Sequence, residues 1–139
     1  MTAAPSTILL VDDEEDFVEM LSLRLQELGE TVLAAFSGSE CLNILAKTDV
    51  DVVILDVKMP GMDGIETLSE IKKAHPLVEV IMLTGHGTIE TALQGMKLGA
   101  YDLLIKPADF HELIDKLNNA RGRKQEQLER IRKAEAALQ

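Results

Sequence analysis

The sequence predicts an α/β domain with a doubly wound, five-stranded parallel sheet, and three observations carry that prediction. Short apolar runs alternate with segments of helical period. The strongest runs are almost continuously apolar, as strands covered on both faces are. Finally, Asp12-Asp13, Asp56, Thr84 and Lys106 each follow directly on such a run.

The elements can be justified in order. Thr7–Val11 is the first strand. Glu15 to Leu28 follows with Phe17, Val18, Leu21, Leu25 and Leu28 on one helical face, and Gly29 supplies a C-terminal stop. Thr31–Ala35 is a weaker second run. Ser39 to Ala46 presents Cys41, Leu42 and Leu45. Val50–Leu55 is the third run. Gly64 to Ala74 presents Ile65, Leu68 and Ile71, with Pro76 just beyond. Val78–Leu83 is the fourth run. Thr88 to Leu98 places Ile89, Ala92, Leu93 and Met96 on its apolar face and ends at Gly99. After the fifth run, Leu103–Ile105, Asp109 caps a last helix carrying Phe110, Leu113, Ile114 and Leu117. Five β-α units in series imply a parallel sheet with helices on both faces, joined by right-handed crossovers. Strand order 2-1-3-4-5 is expected, with the ligand site at the carboxyl ends, beside the switch between strands one and three.

Length and composition bound the function. The 139 residues suit one domain. We expect it over residues 1–119, followed by a charged helical extension or linker over 120–139. Aromatics are only 3% of the chain, so the core must be built from aliphatics, Met and Ala. The tail 120–139 carries six Lys/Arg against three Glu, a net +3. Of the total −10, this leaves −13 on residues 1–119. So acidic a body argues against direct nucleic-acid binding, which rests on cationic contacts, and it suits a site that gathers divalent cations. The single cysteine, Cys41, can form no internal disulfide, in keeping with a reducing cytoplasm, and is expected as half-buried helix packing. No signal-peptide pattern and no run of membrane-spanning length is present. In the tail, a heptad through Leu113, Leu117, Ala120 and Ile131 meets Lys124 and Gln127 at seam positions, which weakens a coiled-coil reading.

The carboxyl-end rule gathers Asp12, Asp13, Asp56, Thr84 and Lys106 on one rim. Crowded carboxylates repel one another, and a bound divalent ion relieves this. Oxygen ligands select a hard cation such as Mg²⁺. A carboxylate can attack phosphorus directly to give an acyl phosphate, while a metal ion, an ammonium and a hydroxyl balance the phosphoryl charge. Met59-Pro-Gly-Met-Asp-Gly64 reads as a turn behind this rim, its glycines serving backbone geometry. His75, His86 and His111 lack metal-ligand spacing.

Leu9-Leu-Val-Asp-Asp-Glu14, Val53-Ile-Leu-Asp-Val-Lys-Met-Pro-Gly-Met-Asp-Gly64, Met82-Leu-Thr-Gly-His-Gly87 and Gly99-Ala-Tyr-Asp-Leu-Leu-Ile-Lys-Pro107 resemble, as an ordered set, the receiver domain of bacterial two-component response regulators. The likeness spans residues 7 to about 119 and implies a flavodoxin-like sheet. It further implies that Asp56 accepts a phosphoryl group from a histidine kinase or phosphotransfer protein. Asp13, Asp56 and the backbone carbonyl of Lys58 would bind Mg²⁺, assisted by Asp12. Lys106 would contact the phosphoryl group, Thr84 would trigger a conformational switch, and the Lys106–Pro107 bond would be cis. The resemblance makes the chain a cytoplasmic signalling receiver that catalyses only its own phosphorylation and dephosphorylation. Its output surface to a partner or output domain would be helix four, strand five and helix five, a face also open to homodimerisation.

One departure stands out. The family usually has Tyr or Phe three residues before the lysine, where this chain has Leu103. Tyr101, two residues earlier, would share its face by strand alternation. Lys58 and His86 occupy positions resembling those that tune acyl-phosphate lifetime; for Lys58, contact with the phosphoryl group and extension into water both stand. Two other functions compete. A haloacid-dehalogenase-like phosphatase wants a second Asp where Lys58 stands. A degenerate receiver acting as a phosphorylation-independent binding module sits poorly with the intact Asp12, Asp13, Asp56, Thr84 and Lys106.

Overall fold

The structure, a computed structural model, describes residues 6–57, 63–85 and 89–138. The calls on Lys58 and His86 lie outside the described residues. The element order is β1 (Thr7–Val11), α1 (Glu15–Glu27), β2 (Thr31–Ala35), α2 (Gly38–Lys47), β3 (Val52–Asp56), α3 (Gly64–Ala74), β4 (Glu79–Thr84), α4 (Ile89–Lys97), β5 (Asp102–Ile105) and α5 (Phe110–Ala137). The sheet runs β2-β1-β3-β4-β5, and every pairing is parallel. Fold class and strand order are those expected.

Strand alternation divides the core into two layers. Leu9, Val11, Val53, Leu55, Val80 and Met82 face Cys41 and Leu45 of α2 and Leu68 and Ile71 of α3. Ile8, Leu10, Val52, Ile54, Ile81 and Leu83 face Val18, Leu21 and Leu25 of α1 and Leu113 and Leu117 of α5. Side-chain caps start three helices. Ser37 accepts from the Glu40 N–H, Asp63 from that of Glu66, and Asp109 from those of His111 and Glu112. Gly29 ends α1 with φ of +88°, a conformation that favours glycine.

Three expectations about burial fail. Leu28 is exposed, because α1 ends before it can turn inward. Cys41 is fully buried, not half-buried. On α4 three of the four predicted residues point outward, with Ile89 80% and Leu93 55% exposed and Met96 also in water, while Ala92 faces in. The inner face of α4 is built instead from Thr91, Ala92, Gly95 and Leu98, roughly a third of a turn away. Gly95 sets this phase. A Cβ there would lie 2.2 Å from the Met82 thioether, so the helix rests on the sheet through its smallest side chain.

α5 is a single helix of 28 residues that passes through the 119/120 position. Leu113, Leu117, Ala120 and Lys124 form its buried stripe. At the amino edge of the sheet, acids precede or open three strands, and this stretch of helix supplies a cation for each. Arg121 Nη1 donates to both Glu30 oxygens at 2.8 and 3.0 Å, and Glu30 also accepts from the Ser6 N–H. Lys124 Nζ donates to Asp51 at 2.9 Å and to the Val50 carbonyl at 3.3 Å, while Asp51 accepts from the Thr7 N–H. Glu79 lies 3.6 Å from Lys72 and 3.5 Å from Arg123. Lys124 therefore meets the domain's own carboxylate at the position where a heptad seam would require an apolar residue. From residue 129 to 138 the helix is exposed throughout. Among the described residues, no helix is long and apolar enough to cross a membrane.

Candidate functional site

The carboxyl rim of the sheet is acidic at its centre. Asp12 follows β1 directly, and its backbone N–H donates to the Ala35 carbonyl at 3.1 Å, extending the sheet hydrogen bonding by one residue. Its side chain is almost fully buried and accepts from the Glu14 N–H at 2.9 Å. Asp13, the next residue, is exposed. Asp56 is the last residue of β3, paired in register with Leu83, and only 5% exposed. Oxygens from Asp12, Asp13 and Asp56 all lie within 4.8 Å of one another. Such crowding of like charge is unfavourable without a compensating cation.

Part of that compensation comes from Lys106. Its Nζ donates to Asp12 Oδ2 at 2.6 Å, lies 3.4 Å from Glu14 Oε1, and its side chain is 14% exposed. Burial pulls the Lys106 pKa down. The Asp12 hydrogen bond and the charges of Asp12, Asp56 and Glu14 outweigh that and hold it above the usual lysine value. These neighbours therefore favour the charged ammonium. Thr84 ends β4, is 1% exposed, and its carbonyl accepts from the Lys106 N–H at 2.8 Å, tying β4 to the lysine. The Lys106–Pro107 peptide bond is cis.

The expected turn over Met59–Gly64 lies largely outside the described residues, but Gly64 itself is held against the end of β3. Its N–H donates to the Val57 carbonyl at 3.0 Å, and a Cβ on it would fall 2.3 Å from Val57 Cα and 2.5 Å from the Asp56 carbonyl oxygen. Only glycine lets the start of α3 come this close to the backbone that carries Asp56.

Asp12, Asp13, Asp56, Thr84 and Lys106 are thus brought to one rim, whereas Tyr101 and Leu103 are separated. Leu103 packs on the α2–α3 layer. Tyr101 packs on the α1–α5 layer and lies under Arg123, 5.8 Å from guanidinium to ring centroid. The expected shared face fails because β5 begins at Asp102, so Tyr101 stands on a bend outside the alternating strand. The sequence reading assigned Phe17 to the core and gave Glu14 no role, yet both touch Lys106. The available signal was position: both fall within four residues of Asp13, where the chain leaves β1 at the rim.

Residues 8–118 match the family described as the response regulator receiver domain. A putative NtrX-like response regulator of Rickettsia bellii is 43% identical over 115 residues, covering 81% of this chain and 24% of the relative. The transcriptional regulatory protein GlrR of Escherichia coli is 39% identical over 120 residues, covering 86% and 27%. The chain thus spans about a quarter of the length of these curated relatives. Among solved structures, a receiver domain protein from Clostridium thermocellum superposes with a TM-score of 0.82 at 41% identity, covering 86% of this chain and 97% of that one. NtrX from Brucella abortus superposes with a TM-score of 0.85 at 34% identity, covering 91% and 29%. This chain belongs to the response regulator receiver domains.

Proposed function

We propose that the chain is a phosphorelay receiver in which Asp56 takes a phosphoryl group from a phosphohistidine on a kinase or phosphotransfer protein. The observation that carries this reading is the buried Asp56 carboxylate beside Asp12, Asp13 and a charged Lys106 on one rim. An Asp56 carboxylate oxygen attacks phosphorus, the bond to the donor breaks, and an acyl phosphate results. No general base is required, since a carboxylate nucleophile has no proton to give up as it attacks. Lys106 leaves Asp12 to hold a phosphoryl oxygen, and the Thr84 hydroxyl donates to another. The three carboxylates form an all-oxygen donor set with excess negative charge, which fits a hard divalent cation such as Mg²⁺. Asp13 and Asp56 would hold it, with Asp12 assisting, and it would neutralise charge on the transferring group. The chemistry is confined to the receiver's own phosphorylation and dephosphorylation.

The output follows as a shift between two conformations. Ile89, Leu93 and Met96 on α4 and Ile105 on β5 are exposed apolar residues, which supports α4, β5 and α5 as the face offered to an output domain, a target or a second copy. The setting is the cytoplasm. The test is intact-protein mass after incubation with acetyl phosphate, with and without Mg²⁺, for the wild type and for Asp56→Ala. A Mg²⁺-dependent gain of one phosphoryl group, absent in the variant, is expected. No gain in a folded wild type, from acetyl phosphate or a cognate kinase, would leave a phosphorylation-independent binding module.

A further inference from the structure

We propose that Phe17 is a positioning residue for Lys106, its ring face holding the ammonium at the mouth of the phosphoryl site. The proposal rests on the receiver reading of Asp56. Lys106 Nζ stands 4.4 Å from the centroid of the Phe17 ring. A cation at that distance over an aromatic face is attracted by the ring quadrupole, and more strongly where water is excluded. Here the lysine side chain is 14% exposed. Phe17 also lines a small cavity together with Asp12, Ile54, Asp56 and Leu83. Phe17 therefore meets the lysine and borders a cavity that Asp12 and Asp56 also line.

The physical need is specific. A lysine ammonium sits on a flexible four-carbon stem and loses considerable rotamer freedom when fixed. In the resting site it is aimed at Asp12 and Glu14. To serve the phosphoryl group it must turn toward Asp56 without swinging into water. Carboxylates alone would hold it in place but would also compete with the phosphoryl oxygens for its N–H donors. An aromatic face attracts the charge without accepting a conventional hydrogen bond, so it restrains the ammonium while leaving the donors available. Leucine would fill similar space and supply no such attraction.

The experiment compares wild type, Phe17→Leu, Phe17→Tyr, Lys106→Ala and the Phe17→Leu/Lys106→Ala double variant, all checked for folding by urea titration. Rates of Mg²⁺-dependent phosphorylation by acetyl phosphate are measured, and the Lys106 ε-methylene shifts are read by NMR. Phe17→Leu is expected to slow phosphorylation by about threefold to tenfold. It should also abolish an upfield ring-current shift at Lys106, with both effects restored in Phe17→Tyr. In the Lys106→Ala background, Phe17→Leu should cost nothing further. Two results overturn the proposal: a wild-type rate in Phe17→Leu, or an equal loss with and without Lys106. A wild type that takes no phosphoryl group overturns the Asp56 reading and the proposed role with it; the ring-current arm then still reports whether the Phe17–Lys106 contact exists.

Discussion

Arg121 gives the sharpest test of how α5 is fastened. Its guanidinium donates to both Glu30 oxygens, to Ser6 Oγ at 3.0 Å, and through Nε and Nη2 to Asn118 Oδ1. The Glu30 side chain is 6% exposed and that of Arg121 is 13%. Arg121→Ala leaves the Glu30 carboxylate buried, with the Ser6 N–H still donating to it. Removing one partner of a fully buried pair costs about 3–5 kcal/mol. Water reaching the vacated arginine site reduces this to roughly 2–4 kcal/mol. At ~4 °C per kcal/mol for a chain of this size, Tm should fall by roughly 8–16 °C. Urea unfolding should show a lower midpoint at unchanged slope. Adding Glu30→Gln removes the stranded charge and should recover part of the loss, with a coupling of about 1–3 kcal/mol. A cost for Arg121→Ala below about 0.5 kcal/mol, typical of an exposed site, would refute the reasoning.

Three further outcomes follow from other parts of the fold. Gly64→Ala forces Cβ into backbone at the end of β3 and should cost about 1–3 kcal/mol. It should slow Asp56 phosphorylation more than a core change of matched cost away from the rim; Gly95→Ala meets the ends of the Met82 and Leu68 side chains rather than backbone and should cost less in a urea titration. Burial pushes the Cys41 thiol up to about 12, so a neutral-pH thiol reagent should label it only as fast as the chain opens; rapid native labelling would contradict the packing. At Asp102 burial acts to raise the pKa, but the hydrogen bonds from Lys116 and the Leu103 N–H and the Lys116 charge bring it below the ordinary 3.8. The depressed folded value stabilises the protein above pH 3.8, and that contribution is lost as pH falls through the folded value. Urea midpoints of wild type and Lys116→Met should therefore differ near neutrality and converge in acid, and a gap independent of pH would exclude the linkage.

Much of this molecule was legible because its strongest signals are local. β1 and β2 could be bounded correctly from apolar runs, and α3 from its period and the Gly64 and Pro76 that flank it. The rim was legible because a parallel sheet places every strand's carboxyl end on one side. The failures arise where tertiary contact overrides pattern. On α4, hydrophobicity selected Ile89, Leu93 and Met96, but the close approach of Gly95 to Met82 goes with an inner face about a third of a turn away. Tyr101 was misplaced because alternation was extended beyond the strand. The α5 clamp was hidden because Glu30, Asp51 and Glu79 lie far from Arg121, Arg123 and Lys124 in sequence, and ion pairs have no period.

The most direct test of the central claim locates the phosphoryl group itself. The wild-type chain is phosphorylated with acetyl phosphate and Mg²⁺, reduced with borohydride to convert any acyl phosphate to an alcohol, digested and mapped by mass spectrometry. Homoserine at position 56, and unmodified Asp12 and Asp13, is the result expected. Homoserine at either of those residues, or at no carboxylate despite a folded chain, would contradict the assignment of Asp56 as the acceptor.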